Sequence, residues 1–383
     1  MTMIRSFAIE GLAGRRGTVE HELNDDVNIF WGPNGCGKTT MLRILHGALG
    51  NKIQGLRTVE FKAAHVEFSV RSGSREFTRS ITKEVIDNYN PTAESFYDEE
   101  LREVVHISRS ENLWTTSPKT SRGALAGFRH TWLPITRIVD TAREKPRGVW
   151  QPGRSIDEPE DDFADAIEDR WKSWRFSANR QITQAQDQAL TEVLEVAIRG
   201  VRKRDKTIKP PDAAQAYELV SNFFESRKGT SSRLFKSFDE FSEKYSEGTI
   251  LPDIVRRLQE VEERIGEIVA PQIRLEDMIL ELYSKGRKVK FEGESISIDI
   301  GGRDVPLGRL SSGERQLMFV LLECLRTGQN SILVDEPELS MHVAWQNRLI
   351  ECMRTVNPAA QIIAATHSPE IMANQEDRCV VEL

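Results

Sequence analysis

Residues 27–40 read VNIFWGPNGCGKTT. The first five, Val27 to Trp31, form a compact apolar run that reads as a buried strand ending on Gly32. From Thr40 the chain continues TMLRILHGAL, with apolar residues at helical spacing. The loop between them fits GxxxxGK[ST] and stands after a strand and before a helix, the setting a phosphate cradle needs. Its glycines let backbone amides converge on phosphate oxygens, and the helix N-terminus adds its positive end. Asn34, Gly35, Cys36, Gly37, Lys38, Thr39 and Thr40 are therefore the expected nucleotide-binding residues. Lys38 would neutralise the β and γ phosphates, and Thr39 would ligate Mg2+. Cys36 is a spacer in this reading.

A second signal lies far along the chain, in SILVDEPE at 331–338. An apolar strand here delivers Asp335 to the carboxyl edge of a sheet beside the P-loop, where it can hold Mg2+ through water. Glu336 turns to the other side of that edge and can take a proton from an attacking water. An Asp-Glu pair after a strand is ordinarily a solvated loop, but beside a P-loop it is read as catalytic.

Working outward, alternation at 59–70 and around 75–81 reads as antiparallel strands, with 72–74 as the turn. Between about 146 and 285 the character changes to clustered proline and charge, then long polar helical stretches such as DFADAIEDRWKSWRF and AQDQALTEVLEVAIRGVRKRDK. Strands return with KVKFEGESISIDIGG. A helix after Leu310, the strand at 331–335, a helix around 344–354 and the strand QIIAAT at 361–366 follow. The expectation is an α/β fold, a mixed sheet with flanking helices, interrupted by a mainly helical insertion. Residues 1–140 and 289–383 would form the two parts of the head, and 141–288 the insertion.

Two more motifs, LSSGERQ at 310–316 and ATHSPEI at 365–371, complete a pattern. With them the chain resembles the ABC-type ATPases, in the branch that holds SMC, RecF and overcoming-lysogenization-defect (OLD) proteins. The likeness covers roughly residues 1–140 and 290–383. It implies an ABC-type P-loop ATPase head, with ATP and Mg2+ as cofactors. LSSGERQ resembles the signature motif, so Ser312 and Gly313 would cap a helix whose unpaired amides face the phosphate of an ATP held by a second copy. The resemblance thus implies a homo-oligomer with composite ATP sites. Lys38, Glu336 and His367 would be the catalytic residues, His367 as the switch histidine, and 338–342 would be the D-loop, with His342 structural.

The opening IRSFAIEGLAGRRGTVEHELNDDVNIFWGPNG resembles the two-strand start of SMC and RecF heads, and EPELSMH resembles OLD-like ATPases. TWLPITR at 131–137 is similar to the LPxxR segment of stand-alone ATPases in Septu, PARIS and related phage-defence systems, which would bring Arg137 near the nucleotide or the interface, the alternative being an ordinary salt-bridged arginine. The chain thus resembles ATPases of the kind found in Septu, PARIS and retron-associated phage-defence systems. With the sequence running to Leu383, the last residue of CVVEL, no Toprim nuclease is expected after the head. The resemblance therefore implies an ATPase that dimerises around ATP and controls a separately encoded effector, a nuclease, in antiviral defence. The alternative is a RecF- or SMC-like repair or chromosome ATPase with DNA as partner. A helix of about 40 residues reaches only ~60 Å, too short for a DNA-embracing arm.

Composition sets the outer bounds. A hydrophobic fraction of 39% and a charged fraction of 29% fit a soluble globular protein, and no window approaches a membrane span or a signal peptide. A cytoplasmic location is expected, with no membrane partner. The net charge of −7 argues against a globally basic nucleic-acid binder but leaves room for a local patch such as VRKRDK at 201–206. Cys36, Cys324, Cys352 and Cys379 form no CxxC pair, so reduced thiols are expected. The acidic run DEPEDD at 157–162 reads as solvated linker. Trp150, Trp171 and Trp174 are either partner anchors or the insertion's own core.

Overall fold

The computed structural model of the chain describes residues 1–70, 75–89, 93–98, 103–108, 113–118, 127–134, 159–199, 211–228, 235, 237–248, 250–283, 287–305 and 307–383. The expected boundary at 140/141, Arg137, Trp150 and the basic run 201–206 lie outside the described residues. The chain divides into two compact units, Met1–Trp171 with Leu275–Leu383, and Lys172–Arg274.

The first unit carries the mixed α/β fold with two five-stranded sheets. One is antiparallel, with order β2-β1-β4-β5-β8. It is built from β1 (Thr2–Glu10), β2 (Thr18–Glu22), β4 (Ala63–Val70), β5 (Arg75–Thr82) and β8 (Thr115–Ser117). The alternating burial of β4 shows the one-sided packing its sequence predicts. The other sheet is parallel, with order β15-β3-β14-β13-β9. Its strands are β3 (Val27–Trp31), β9 (Thr131–Leu133), β13 (Ser331–Asp335), β14 (Gln361–Thr366) and β15 (Val380–Glu382). Every residue of β13 and β14 is buried, as expected of parallel strands covered on both faces.

Helix α1 (Lys38–Gly50) packs on β13 and β14 of the parallel sheet and on β4 of the antiparallel one. Met41, Leu42, Leu45 and Leu49 join Phe7, Phe30, Phe68, Leu333 and Ile363 in one core. This burial, about 25 cal/mol per Å² of apolar surface, fixes the P-loop to the sheet ends. Gln361 is wholly buried. Its carboxamide bonds both the N–H and C=O of Ile4, at 2.9 and 2.8 Å, so β1 is tied to β14. A short helix α2 (Lys83–Asn88), the hairpin β6 (Ala93–Asp98) and β7 (Glu103–Ser108), and the antiparallel sheet β10 (Arg287–Glu292), β11 (Ser295–Ile300), β12 (Arg303–Val305) complete the strand-rich part.

Helix α3 (Pro159–Arg199) is one 41-residue helix where the sequence suggests separate amphipathic pieces. In the second unit its later turns meet α4 (Ala213–Lys228), α5 (Phe238–Glu247) and the first part of α6 (Ile250–Leu282). Their core holds Ala189, Ala216, Val220, Phe223, Phe241, Val255, Leu258 and Val261. Trp171 is 0% exposed and belongs to the first unit. Its ring lies 4.8 Å from that of Phe291, and its indole N–H donates to Gly293 O at 3.2 Å, so it is a core residue and not a partner anchor.

The last elements are α7 (Ser312–Thr327), α8 (Val343–Gln346), α9 (Leu349–Val356) and α10 (Pro369–Met372). The single helix expected around 344–354 is thus two. Its first turn closes with an i→i+3 bond from Arg348 N to Trp345 O, and the chain restarts at Leu349. No helix among the described residues is long and apolar enough to cross a membrane. All four cysteines are buried free thiols.

Candidate functional site

The strand order β3-β14-β13 decides the geometry of the site. The P-loop leaves β3, the acidic pair ends β13, and the turn after β14 runs between them, all at the carboxyl edge where open α/β sheets bind ligands. His367, the first residue past β14, therefore falls between the other two groups. Its Nδ1 lies 3.3 Å from Lys38 Nζ, and its Nε2 lies 3.0 Å from Glu336 Oε1.

In the P-loop, Gly35 and Gly37 have φ of 81° and 107°, values open to glycine at little steric cost. A Cβ on Gly37 would also come within 2.8 Å of the Leu12 side chain. Asn34 and Gly35 are exposed, Cys36 and Lys38 are buried, and Thr39 and Thr40 are half-buried on the first turn of α1. Lys38 Nζ donates to Gly32 O at 2.7 Å and to Pro33 O at 3.2 Å, with Cys36 Sγ at 3.7 Å. The ammonium is thus held inside the loop it serves.

Thr39 Oγ1 donates to Asp335 Oδ1 at 3.2 Å, joining the two predicted Mg2+ ligands. Asp335 Oδ2 is buried without a hydrogen-bond partner among the described residues. Burial pushes the Asp335 carboxyl up to about 6, with Glu336 adding to the rise and Thr39, Arg43 and Lys38 opposing it. A buried carboxylate oxygen with nothing to accept from, beside a threonine hydroxyl, fits a hard cation that completes its shell with water and phosphate. No cluster of three His, Cys, Asp or Glu side chains able to hold a metal occurs among the described residues, so phosphate oxygens would supply the remaining ligands.

Glu336 has φ of 45°, a left-handed conformation that costs a non-glycine residue about 1–3 kcal/mol. Its N–H donates to Ala365 O at 2.8 Å, which holds the turned backbone and aims the carboxylate at His367. The strain is spent on direction.

The signature helix differs from expectation by one residue. Ser311, not Ser312, caps α7: its Oγ accepts from Glu314 N at 3.3 Å, and Glu314 Oε2 accepts from Ser311 N at 2.7 Å. That capping box fixes Ser312 as the first helical residue, where it is exposed. Gly313 is buried, and a Cβ there would lie 2.6 Å from Ser340 O, so the glycine admits the 338–342 loop of its own chain. No hydrogen bond among the described residues joins Ser312 or Gly313 to the P-loop, the acidic pair or His367. His342 caps α8 by accepting from Ala344 N at 3.2 Å.

Sequence reasoning passed over Glu338, Ser368 and Gln346. Glu338 Oε1 accepts from Thr366 Oγ1, His367 N and Ser368 N, and Ser368 Oγ donates to Gln346 Oε1 at 2.8 Å. The available signal was the third acid in DEPE, two residues past Glu336.

The chain is 46% identical over 109 residues to the Septu protein PtuA of Bacillus thuringiensis, covering 24% of this chain and 28% of that protein. It is 26% identical over 84 residues to the Retron Vc95 probable ATPase of Vibrio cholerae serotype O1 biovar El Tor, covering 18% and 16%. The matches thus span well under a third of either relative. Among solved structures, the Smc head domain with an extended coiled coil bound to the C-terminal domain of ScpA from Pyrococcus furiosus aligns over 100% of this chain and 93% of that one, at 14% identity and a TM-score of 0.45. The SMC head domain from Thermotoga maritima aligns over 97% and 91%, at 12% identity and a TM-score of 0.39. Residues 27–373, from the strand before the P-loop to just past His367, match one family. The kinship with Septu and retron ATPases read from the motifs is borne out, and the chain belongs to the family described as AAA domain, putative AbiEii toxin, Type IV TA system.

Proposed function

We propose that this protein binds and hydrolyses ATP at the carboxyl edge of its parallel sheet, and that two copies close around two ATP molecules to control a separately encoded effector, a nuclease, in antiviral defence. The observation that carries the catalytic half is the placement of His367 between Lys38 and Glu336, at 3.3 and 3.0 Å. In this reading Lys38 leaves the Gly32 and Pro33 carbonyls for the β and γ phosphates. Thr39 and Asp335 would hold Mg2+, which would neutralise charge on those phosphates. Glu336 takes the proton of the attacking water at its carboxylate, and His367 orients that water or the γ-phosphate.

The exposed Ser312 end of α7 supports the dimeric half: among the described residues no hydrogen bond joins it to its own P-loop, so its helix end can face another copy's phosphate. The defence role is supported by the likeness to Septu PtuA and to a retron ATPase over parts of their length.

Glu336→Gln tests the reading. The amide cannot take the proton, while Asp335 and Lys38 are untouched. ATP affinity should stay within about threefold, turnover should fall by about 10²-fold or more, and ATP should double the mass measured by light scattering. Lys38→Ala should show neither binding nor doubling. Phosphate release by Glu336→Gln at the wild-type rate would place the base elsewhere.

A further inference from the structure

Glu338 is 9% exposed, and among the described residues the hydrogen bonds of its carboxylate all go to the turn that carries His367. Oε1 accepts from Thr366 Oγ1 at 2.7 Å, from His367 N at 2.8 Å and from Ser368 N at 3.2 Å. Oε2 is buried without a partner among the described residues. A carboxylate taken out of water is tolerable only where donors compensate it, and here all three come from consecutive residues of one turn.

The other face of the turn is tied to the same loop. Ser368 Oγ donates to Gln346 Oε1 at 2.8 Å, and Gln346 Nε2 donates to Met341 O at 2.9 Å. Residues 336–346 and 366–368 therefore form one hydrogen-bonded body. A histidine side chain has two rotatable bonds, so its ring is only as well placed as the backbone it hangs from. That backbone is fixed by Glu338.

The loop also reaches the signature helix. Ser340, two residues on, has φ of 67°, and its carbonyl oxygen occupies the space a Gly313 side chain would fill. Within five residues the loop thus touches the base at Glu336, the switch turn through Glu338, and the N-terminus of α7 through Ser340.

Resting on the ATPase reading above, we propose that Glu338 is a positioning residue: by accepting the His367 and Ser368 amides it holds the His367 imidazole between Lys38 and Glu336, and through Ser340 it ties that position to the N-terminus of α7. Because Glu338 acts through His367, its removal displaces the ring and leaves the phosphate cradle intact. Displacements of about 1 Å in a catalytic group cost on the order of 10²-fold in rate.

The test compares wild type, Glu338→Ala, Glu338→Gln and the binding-deficient Lys38→Ala, using steady-state phosphate release, fluorescent-ATP affinity and residue-resolved amide hydrogen exchange without nucleotide. Glu338→Ala should lower kcat by roughly 10–100-fold while ATP affinity stays within about threefold. In the same variant the His367 and Ser368 amides should exchange at least about tenfold faster, while those of β14 and α1 stay protected. Glu338→Gln keeps an acceptor oxygen for the same three donors, so it should restore both readouts to within about threefold of wild type. A kcat within twofold of wild type in Glu338→Ala, exchange that rises across the whole sheet, or a Gln variant no better than Ala would each overturn the proposal. If wild type releases no more phosphate than Lys38→Ala, the ATPase reading fails, and the exchange of those two amides alone decides whether Glu338 holds the turn.

Discussion

His46, on the P-loop helix α1, brings its Nδ1 within 2.7 Å of His130 Nε2, and its ring stacks on Trp132 at 5.5 Å. One of the two nitrogens must be bare to accept, so both rings cannot be charged at once. Burial pushes the His46 imidazole down to about 4, helped by His130 and Lys52, and burial lowers His130 as well. The unfolded chain takes up both protons near pH 6.5, whereas folded His46 refuses its proton until about pH 4 and folded His130 binds its own below its ordinary range. Their contribution is fully present above about pH 6.5 and is lost as pH falls through that window, by up to about 3 kcal/mol for His46. Urea midpoints should hold between pH 8 and 7 and drop between pH 6 and 4.5, and His46→Gln should flatten the drop; an unchanged acid profile in the variant would refute the link. Lys38, Thr39, Asp335, Glu336 and His367 are legible in the sequence because phosphate chemistry restricts residue type and local order. Glu338 is not, because two of its three donors are main-chain amides 29 and 30 residues away, which no side-chain pattern records.

Gly313 shows the same limit for a whole helix. A glycine at the start of α7 reads as room for a phosphate, yet in the folded chain it makes room for Ser340 O, 2.6 Å from where a Cβ would stand. Gly313→Ala must push the helix end or the 338–342 loop, and neither backbone is a flexible side-chain tip. We expect a loss of about 1–3 kcal/mol in stability together with reduced turnover, since the displaced loop carries Glu338 and follows Glu336 directly after Pro337. Unfolding curves and phosphate release from that variant check it; wild-type values in both would mean that the loop yields freely. Strands β3, β13 and β14 are legible as short apolar runs bounded by turn residues, and their burial on both faces explains why. The start of α7 is legible only to one residue, because LSS offers two serines and the reciprocal bond with Glu314 selects Ser311. The break between α8 and α9 has no proline or glycine to announce it.

For the molecule as a whole, the sequence shows a head built from both ends of the chain with helices between. The structure resolves the second unit as Lys172–Arg274, with an aromatic centre where Phe241 lies 5.4 Å from Tyr217, 5.1 Å from Phe235 and 5.5 Å from Tyr245. Trp171, which the sequence could assign to either a surface or a core, is settled by its contact with Phe291. The proposed assembly is legible only through the resemblance of LSSGERQ to the signature motif, because by itself the start of α7 is an ordinary capped helix end. The central claim, that each ATP site is shared between two chains, is tested most directly by mixing two inactive variants. Lys38→Ala cannot hold the nucleotide, and Ser312→Arg places bulk at the exposed first residue of α7. Alone, neither should release phosphate. Co-expressed with different tags and purified as mixed assemblies, they should form one intact site per dimer and recover up to about half of wild-type activity, or less if the two turnovers are coupled. Strong phosphate release by Ser312→Arg on its own would contradict the claim, since the signature helix would then not complete the site.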